Sequence, residues 1–207
     1  MMRIYLVRHG ETDLNRRGCY YGRTDAPLSP EGREQARMLG QFFREISFSA
    51  VVTSPLCRAV ETAEIILGEQ MIELCRDERL CEQDFGIFEG YTYSELMNRY
   101  PDEMRAWNQD FSGYRIPGGE SFLDVRKRTE QFLSEIKRRA GESRRETAVL
   151  LVAHKGTLGH FLAACLGLPP EGYWNFVFDQ GCYSRVDLED GYAIIRKLNQ
   201  SVEDADC

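Results

Sequence analysis

Short apolar runs alternate along the chain with longer stretches whose apolar residues recur at helical spacing. The first run, 4–7, stops at Arg8-His9-Gly10 and predicts a buried strand that empties into a functional loop. After Asp25-Ala26-Pro27-Leu28, Ser29 is placed to cap a helix, Pro30 to take its first position and Glu31 to complement its positive end. Ala36, Leu39, Gly40 and Phe43 then repeat on one face. Residues 48–52 predict a second strand, stopped by Thr53-Ser54-Pro55, and a helix follows through Ala59, Ala63, Ile66 and Leu67. The weakly patterned 71–80 has room for a short strand. From about Cys81 to Gly119 the periodicity gives way to aromatics, Gly, Asp and Glu with short helical stretches, the character of an insertion over a site. Residues 121–140 predict a long amphipathic helix with Phe122, Val125, Phe132, Leu133 and Ile136 inward, followed by a polar turn at 141–146.

The most apolar run, 148–153, belongs at the centre of a sheet covered on both faces. It ends at His154-Lys155-Gly156, and a helix runs on through Leu158, Phe161, Leu162 and Cys165 until Pro169-Pro170 breaks it. Two late strands, 183–188 and 192–198, are joined by Glu189-Asp190-Gly191. Strands alternating with helices predict an α/β fold in three layers, a mostly parallel central sheet with helices on both faces. The expected organisation is a single domain over 1–200, with 81–120 as a small, mainly helical insertion or lid and 201–207 as a polar tail.

Composition narrows the picture. The 207 residues suit one domain, and 43% hydrophobic with 29% charged residues is the balance of a globular protein. A formal net charge of -7 disfavours nucleic acid and anionic membrane as partners, without excluding a small anion held by a few arginines. No apolar run approaches the roughly 20 residues that span a bilayer. The seven cysteines, Cys19, Cys57, Cys75, Cys81, Cys165, Cys182 and Cys207, are odd in number and form no C-x-x-C pair. Free thiols in a reducing cytoplasm are expected, with Cys57, Cys165 and Cys182 as small buried hydrophobes.

There are three histidines, and two of them, His9 and His154, directly follow strongly apolar strands, where ligand sites collect in open α/β sheets. His160 lies inside a helix and is expected to be structural or at the surface. Two imidazoles without an Asp/His ligand cluster make a poor metal site, so no metal and no cofactor are expected. Histidines with arginines fit a phosphoryl site, in which guanidinium groups grip phosphate oxygens while a neutral imidazole attacks phosphorus. Arg8, Arg58 and the backbone around Gly10 are the candidates for the positive charge. No cysteine has an arginine six positions later, no D-x-D follows a strand, and P-loop and Rossmann fingerprints are absent.

The segments Arg8-His9-Gly10-Glu11-Thr12-x-x-Asn15, Leu28-Ser29-x-x-Gly32-x-x-Gln35-Ala36, Thr53-Ser54-Pro55-Leu56-x-Arg58-Ala59-x-x-Thr62-Ala63 and Glu82-x-x-Phe85-Gly86-x-x-Glu89-Gly90, with His154 after them, occur in the order of a known family. The chain resembles the histidine phosphatases with the phosphoglycerate mutase-like fold over nearly its whole length. The resemblance implies a nucleophile at His9, a phosphate pocket of Arg8, His9, Asn15, Arg58 and His154, with His154 protonated to stabilise the phosphoryl oxygens, and a general acid at Glu82. The substrate would be a small-molecule phosphomonoester. Lys155 departs from the small residue common at that place, and would add charge near the phosphate or narrow the pocket.

Trp174-x-Phe176-x-x-x-Gln180-Gly181-Cys182-x-Ser184, Gly191-Tyr192-Ala193, Leu198-Asn199, Tyr20-x-Gly22 and the region 107–110 resemble the branch of the family that dephosphorylates α-ribazole 5′-phosphate in cobalamin assembly. The alternatives are a broad sugar-phosphate phosphatase, a phosphoglycerate mutase and, from another class, a non-catalytic phospholigand-binding protein. Trp107, Tyr114 and Tyr91 in the insertion offer surfaces that could pack against a benzimidazole base, but each is more simply a core residue and none is counted in the site. Oligomeric state is left open by the sequence.

Overall fold

The structure is a computed structural model that describes residues 1–142 and 145–202. Six strands form one sheet in the order β3-β2-β4-β1-β5-β6. The strands are β1 (Met2–Arg8), β2 (Ala50–Thr53), β3 (Leu74–Arg76), β4 (Thr147–Ala153), β5 (Cys182–Glu189) and β6 (Tyr192–Ser201). The first four run parallel, and β5 and β6 are antiparallel additions at one edge. β4 lies between β1 and β2, the central place its apolar run predicts. The β5–β6 turn has positive φ at both Asp190 and Gly191, as a two-residue type I′ hairpin turn requires.

Alternate side chains of the central strands point to opposite faces, and each face has its own helices. Tyr5, Val7, Leu150 and Val152 pack with Leu39 and Phe43 of α2 (Pro30–Phe43) and Ala63 and Ile66 of α3 (Cys57–Leu67). Ile4, Leu6, Val149 and Leu151 pack with Phe132 and Ile136 of α6 (Phe122–Glu142) and Phe161 and Leu162 of α7 (Lys155–Cys165). These are the three layers expected. Ser29 caps α2 by accepting the Gly32 N–H, with Pro30 at the first position. Nine residues of α7 are buried, because it lies between the sheet, α6 and a 3-10 turn at Pro170–Asn175.

Residues 81–120 contain α4 (Tyr93–Arg99) and α5 (Pro101–Gln109) around a separate small core of Phe88, Leu96, Met104, Trp107 and Ile116. One short helix was not predicted: α1 (Asp13–Arg16), closed by a capping box between Thr12 and Asn15. β2 begins and ends later than 48–52, and β6 continues to Ser201, one residue past the predicted domain end. Residues 203–207 of the predicted tail, with Cys207, and part of the predicted turn at 141–146 lie outside the described residues. Of the cysteines expected to be buried, Cys165 is, and Cys57 and Cys182 are only partly so.

Candidate active site

Strand register assembles the site. β1 and β4 end level, Arg8 opposite Ala153, so His9 and His154 emerge side by side from adjacent parallel strands. The His9 N–H donates to the Ala153 carbonyl at 3.0 Å, and the two imidazoles lie with centroids 5.0 Å apart. β2 ends beside β4, which brings Ser54 against the other side of His154; its hydroxyl is 2.8 Å from His154 Nε2. Arg58 follows within the first turn of α3, whose Cys57 N–H is capped by Asp25.

The loop after His9 is built by close approach. A Cβ at Gly10 would stand 2.3 Å from the Gly32 carbonyl oxygen, so the first turn of α2 admits only glycine there. The Gly10 N–H donates to Thr62 Oγ1 and the Glu11 N–H to Gln35 Oε1. Both amides are therefore occupied, and positive charge comes from side chains, contrary to the expectation that the Gly10 backbone contributes. Other motif residues also fasten loops: the Glu89 carboxylate accepts the N–H groups of Gly22, Arg23, Thr24 and Phe85.

His9 Nδ1 lies 2.7 Å from the Gly10 carbonyl oxygen. A carbonyl only accepts, so Nδ1 carries the proton and Nε2 keeps its lone pair. Burial first, then the charges of Arg58 and Arg8, hold the His9 pKa well below 6.5. Arg58 is fully buried; it donates to the carbonyls of Thr24 and Gly22 and lies over the Tyr21 ring at 4.6 Å, with its Nε unpartnered. Arg8 donates to the Phe178 carbonyl and likewise keeps a buried, unpartnered Nε. The Asn15 amide oxygen accepts from the Thr12 N–H and hydroxyl, which leaves its NH2 to donate. Glu82 accepts the N–H of Gln83 and, through its other oxygen, that of Gly156 in the first turn of α7. A Cβ at Gly156 would sit 2.2 Å from the Glu82 carboxylate.

Arg8, His9, Asn15, Arg58 and Glu82 line one cavity of about 370 Å³, together with Lys155 and the aromatic residues Tyr20, Phe85, Trp107, Phe111, Tyr173 and Trp174. His154 touches His9 but is fully buried and does not line the cavity. Burial, then Arg58 and His9, push its pKa well below 6.5, so it is neutral in the free protein. The protonated His154 expected of the phosphoryl site is therefore not its state in the free protein. Tyr91 and Tyr114 are absent from the cavity wall, whereas Trp107 is part of it. His160, expected to be structural or superficial, is buried and also lines the cavity. Among the described residues, no group of three or more His, Cys, Asp and Glu side chains is placed to hold a metal ion.

Sequence reasoning missed Arg128. Its guanidinium donates to the carbonyls of Arg79, Cys81 and Glu82 and pairs with Glu120, which in turn accepts the Asp84 N–H. One fork from α6 thus fixes the backbone that carries Glu82. Arg128→Met is expected to cost about 3 kcal/mol of stability by orphaning these carbonyls and the Glu120 carboxylate. Urea unfolding measures it, and Arg128→Lys, lacking the planar fork, should recover less than half of the loss.

All three histidines are buried with lowered pKa values, led by desolvation in each case. Above pH 6.5 both folded and unfolded chains hold them neutral. As pH falls below 6.5 the unfolded chain takes up protons that the folded one refuses, so stability is lost toward acid, by up to about 1.4 kcal/mol per pH unit for each histidine. The urea midpoint is expected to fall steadily from pH 7 to pH 5; a flat midpoint would contradict neutral burial.

No helix among the described residues is long and apolar enough to cross a membrane. The profile of the histidine phosphatase superfamily (branch 1) matches residues 4–201. The chain is 34% identical over 198 residues to the adenosylcobalamin/α-ribazole phosphatase of Escherichia coli K12, covering 96% of each chain. It is 32% identical over 199 residues to phosphoserine phosphatase 1 of Hydrogenobacter thermophilus, covering 96% of this chain and 92% of that one. The crystal structure of the α-ribazole phosphatase from Shigella flexneri superposes with a TM-score of 0.90 at 33% identity, covering 96% of both chains. Full-length agreement of this kind, on a fold that sets paired histidines at the ends of adjacent strands, makes the chain a phosphatase belonging to branch 1 of the histidine phosphatase superfamily.

Proposed function

We propose that the chain hydrolyses α-ribazole 5′-phosphate, a benzimidazole riboside phosphomonoester, through a phosphohistidine on His9. The observation that carries this reading is a cavity in which Arg8, Arg58 and the His9 imidazole open directly onto an aromatic wall. Phosphate binds at the cationic floor, with Arg8 and Arg58 donating through N–H groups that lack protein partners. Asn15 NH2 adds a neutral donor. His9 Nε2 attacks phosphorus in line, the bond to the ribose oxygen breaks, and Glu82 gives that oxygen its proton. Water then attacks the phosphohistidine, losing its proton to Glu82, and His9 is released neutral. Arg8 and Arg58 stabilise the charge on the equatorial oxygens at both steps. Neutral His154, hydrogen-bonded to Ser54, holds the His9 ring in place from behind.

On this reading the whole of 1–200 acts as one domain, and 81–120 serves as the lid that supplies Phe85, Trp107 and Phe111 to the leaving-group side. The chain would act in the reducing cytoplasm. A second reading rests on Lys155. Its exposed side chain lines the same cavity and would pair with a substrate carboxylate, as phosphoserine or a phosphoglycerate would offer.

Comparison of kcat/KM for α-ribazole 5′-phosphate, phosphoserine, 3-phosphoglycerate and nitrophenyl phosphate separates the readings. A preference of about a hundredfold for the riboside, roughly 2.7 kcal/mol of selective transition-state binding, is expected. Values level across the set would remove the substrate and leave the His9 chemistry.

A further inference from the structure

α7 measures distance from the chemistry. Its Gly156 N–H holds the Glu82 carboxylate, and His160 lies one helical turn, about 6 Å, further along the same face. That span is of the order a ribose sets between its 5′ oxygen and its base. The His160 ring is wedged in the aromatic wall, 4.2 Å from the Phe122 centroid and 5.1 Å from that of Tyr173. Gly159 makes room for this packing, since a Cβ there would meet the Tyr173 ring at 2.5 Å.

The ring is 1% exposed and lines the cavity, yet no described residue hydrogen-bonds either of its nitrogens. Nδ1 is sealed off without a partner. A buried N–H without an acceptor is costlier than a buried lone pair, so the proton belongs on Nε2, the nitrogen left to address the cavity. Burial, then the charges of Arg126 and Arg128, push the pKa down to about 3, and the ring stays neutral at any physiological pH. A neutral donor fixed among aromatic rings is poorly suited to a carboxylate or phosphate. It suits a flat heteroaromatic group with an in-plane nitrogen acceptor.

We infer that His160 is a specificity-determining residue whose Nε2–H hydrogen-bonds the acceptor nitrogen of a planar heteroaromatic leaving group held in this cavity. This rests on the benzimidazole riboside reading and says which atom of the base is recognised. No proton is transferred and no bond is broken at His160.

The test compares α-ribazole 5′-phosphate with its indole counterpart, in which CH replaces the acceptor nitrogen, in the wild-type protein and in His160→Phe. Phenylalanine keeps the ring and its packing. The wild type is expected to favour the benzimidazole about tenfold in kcat/KM, and His160→Phe to bring the ratio near one, chiefly through KM. His160→Asn, which keeps an N–H donor, should retain part of the preference. Inhibition by orthophosphate reads the arginine site alone and is expected to shift by less than about twofold in His160→Phe. An unchanged benzimidazole-to-indole ratio, or an equal loss with phosphoserine and the riboside, would overturn the inference. The substrate reading fails by a different result, phosphoserine turned over as well as α-ribazole 5′-phosphate by the wild type. His160 recognition would still stand if His160→Phe abolished the benzimidazole preference.

Discussion

Replacing His9 with alanine is expected to lower kcat on every phosphomonoester by about four orders of magnitude or more, roughly 5.5 kcal/mol of transition-state stabilisation. The size follows from what remains. Arg8 and Arg58 would still hold phosphate, but no other described side chain at the cationic floor of the cavity presents a neutral, buried lone pair to it. The hydrogen bond from Nδ1 to the Gly10 carbonyl fixes both the tautomer and the direction of Nε2. Burial, and after it the neighbouring guanidinium groups, keep the ring unprotonated where free histidine would begin to charge. Binding and turnover should therefore separate, with orthophosphate inhibition kept and turnover lost. Steady-state assays with nitrophenyl phosphate measure this, and a residual rate above about 1% would be incompatible with covalent catalysis at His9.

Glu82→Gln is expected to act selectively. A ribose oxygen leaves as a poor anion unless it is protonated, so loss of the acid should cost about a thousandfold on the riboside substrate. Nitrophenolate leaves readily without a proton, and the loss there should be nearer tenfold. Glutamine retains one oxygen for the Gly156 N–H and gives up only the Gln83 contact, a change common to both substrates, so the difference between the two losses reports proton transfer. Equal losses on both substrates would assign Glu82 to positioning instead.

Much of this arrangement is legible in the sequence because local rules and the global fold agree. The apolar runs ending at His9 and His154 place both residues at the carboxyl ends of strands before any pairing is known, and the register of β1 with β4 only makes them neighbours. The cap at Ser29 and the amphipathic pattern of α6 needed no tertiary information. The unread parts depend on contacts distant in sequence. Arg128 reads as a surface charge of a polar helix until its three carbonyl partners are seen across the fold. His160 sits in a helix buried on all sides, whose weak amphipathicity hides which face meets the cavity. The charge state of His154 is set by burial, which no local pattern reveals. Tyr91 packs against the small core around α4 and α5, the simpler of its two readings, while Trp107 serves both that core and the cavity wall, a double role that composition alone does not reveal.

The account stands most directly on where the phosphoryl group goes. Rapid acid-free quenching during turnover of α-ribazole 5′-phosphate, followed by peptide mass spectrometry, reads that position. An alkali-stable, acid-labile phosphate on the peptide containing His9, absent from His9→Ala, is the expected result. Turnover with no phosphoenzyme, in a quench fast enough to catch a single catalytic cycle, or phosphate carried by any other residue, would contradict it.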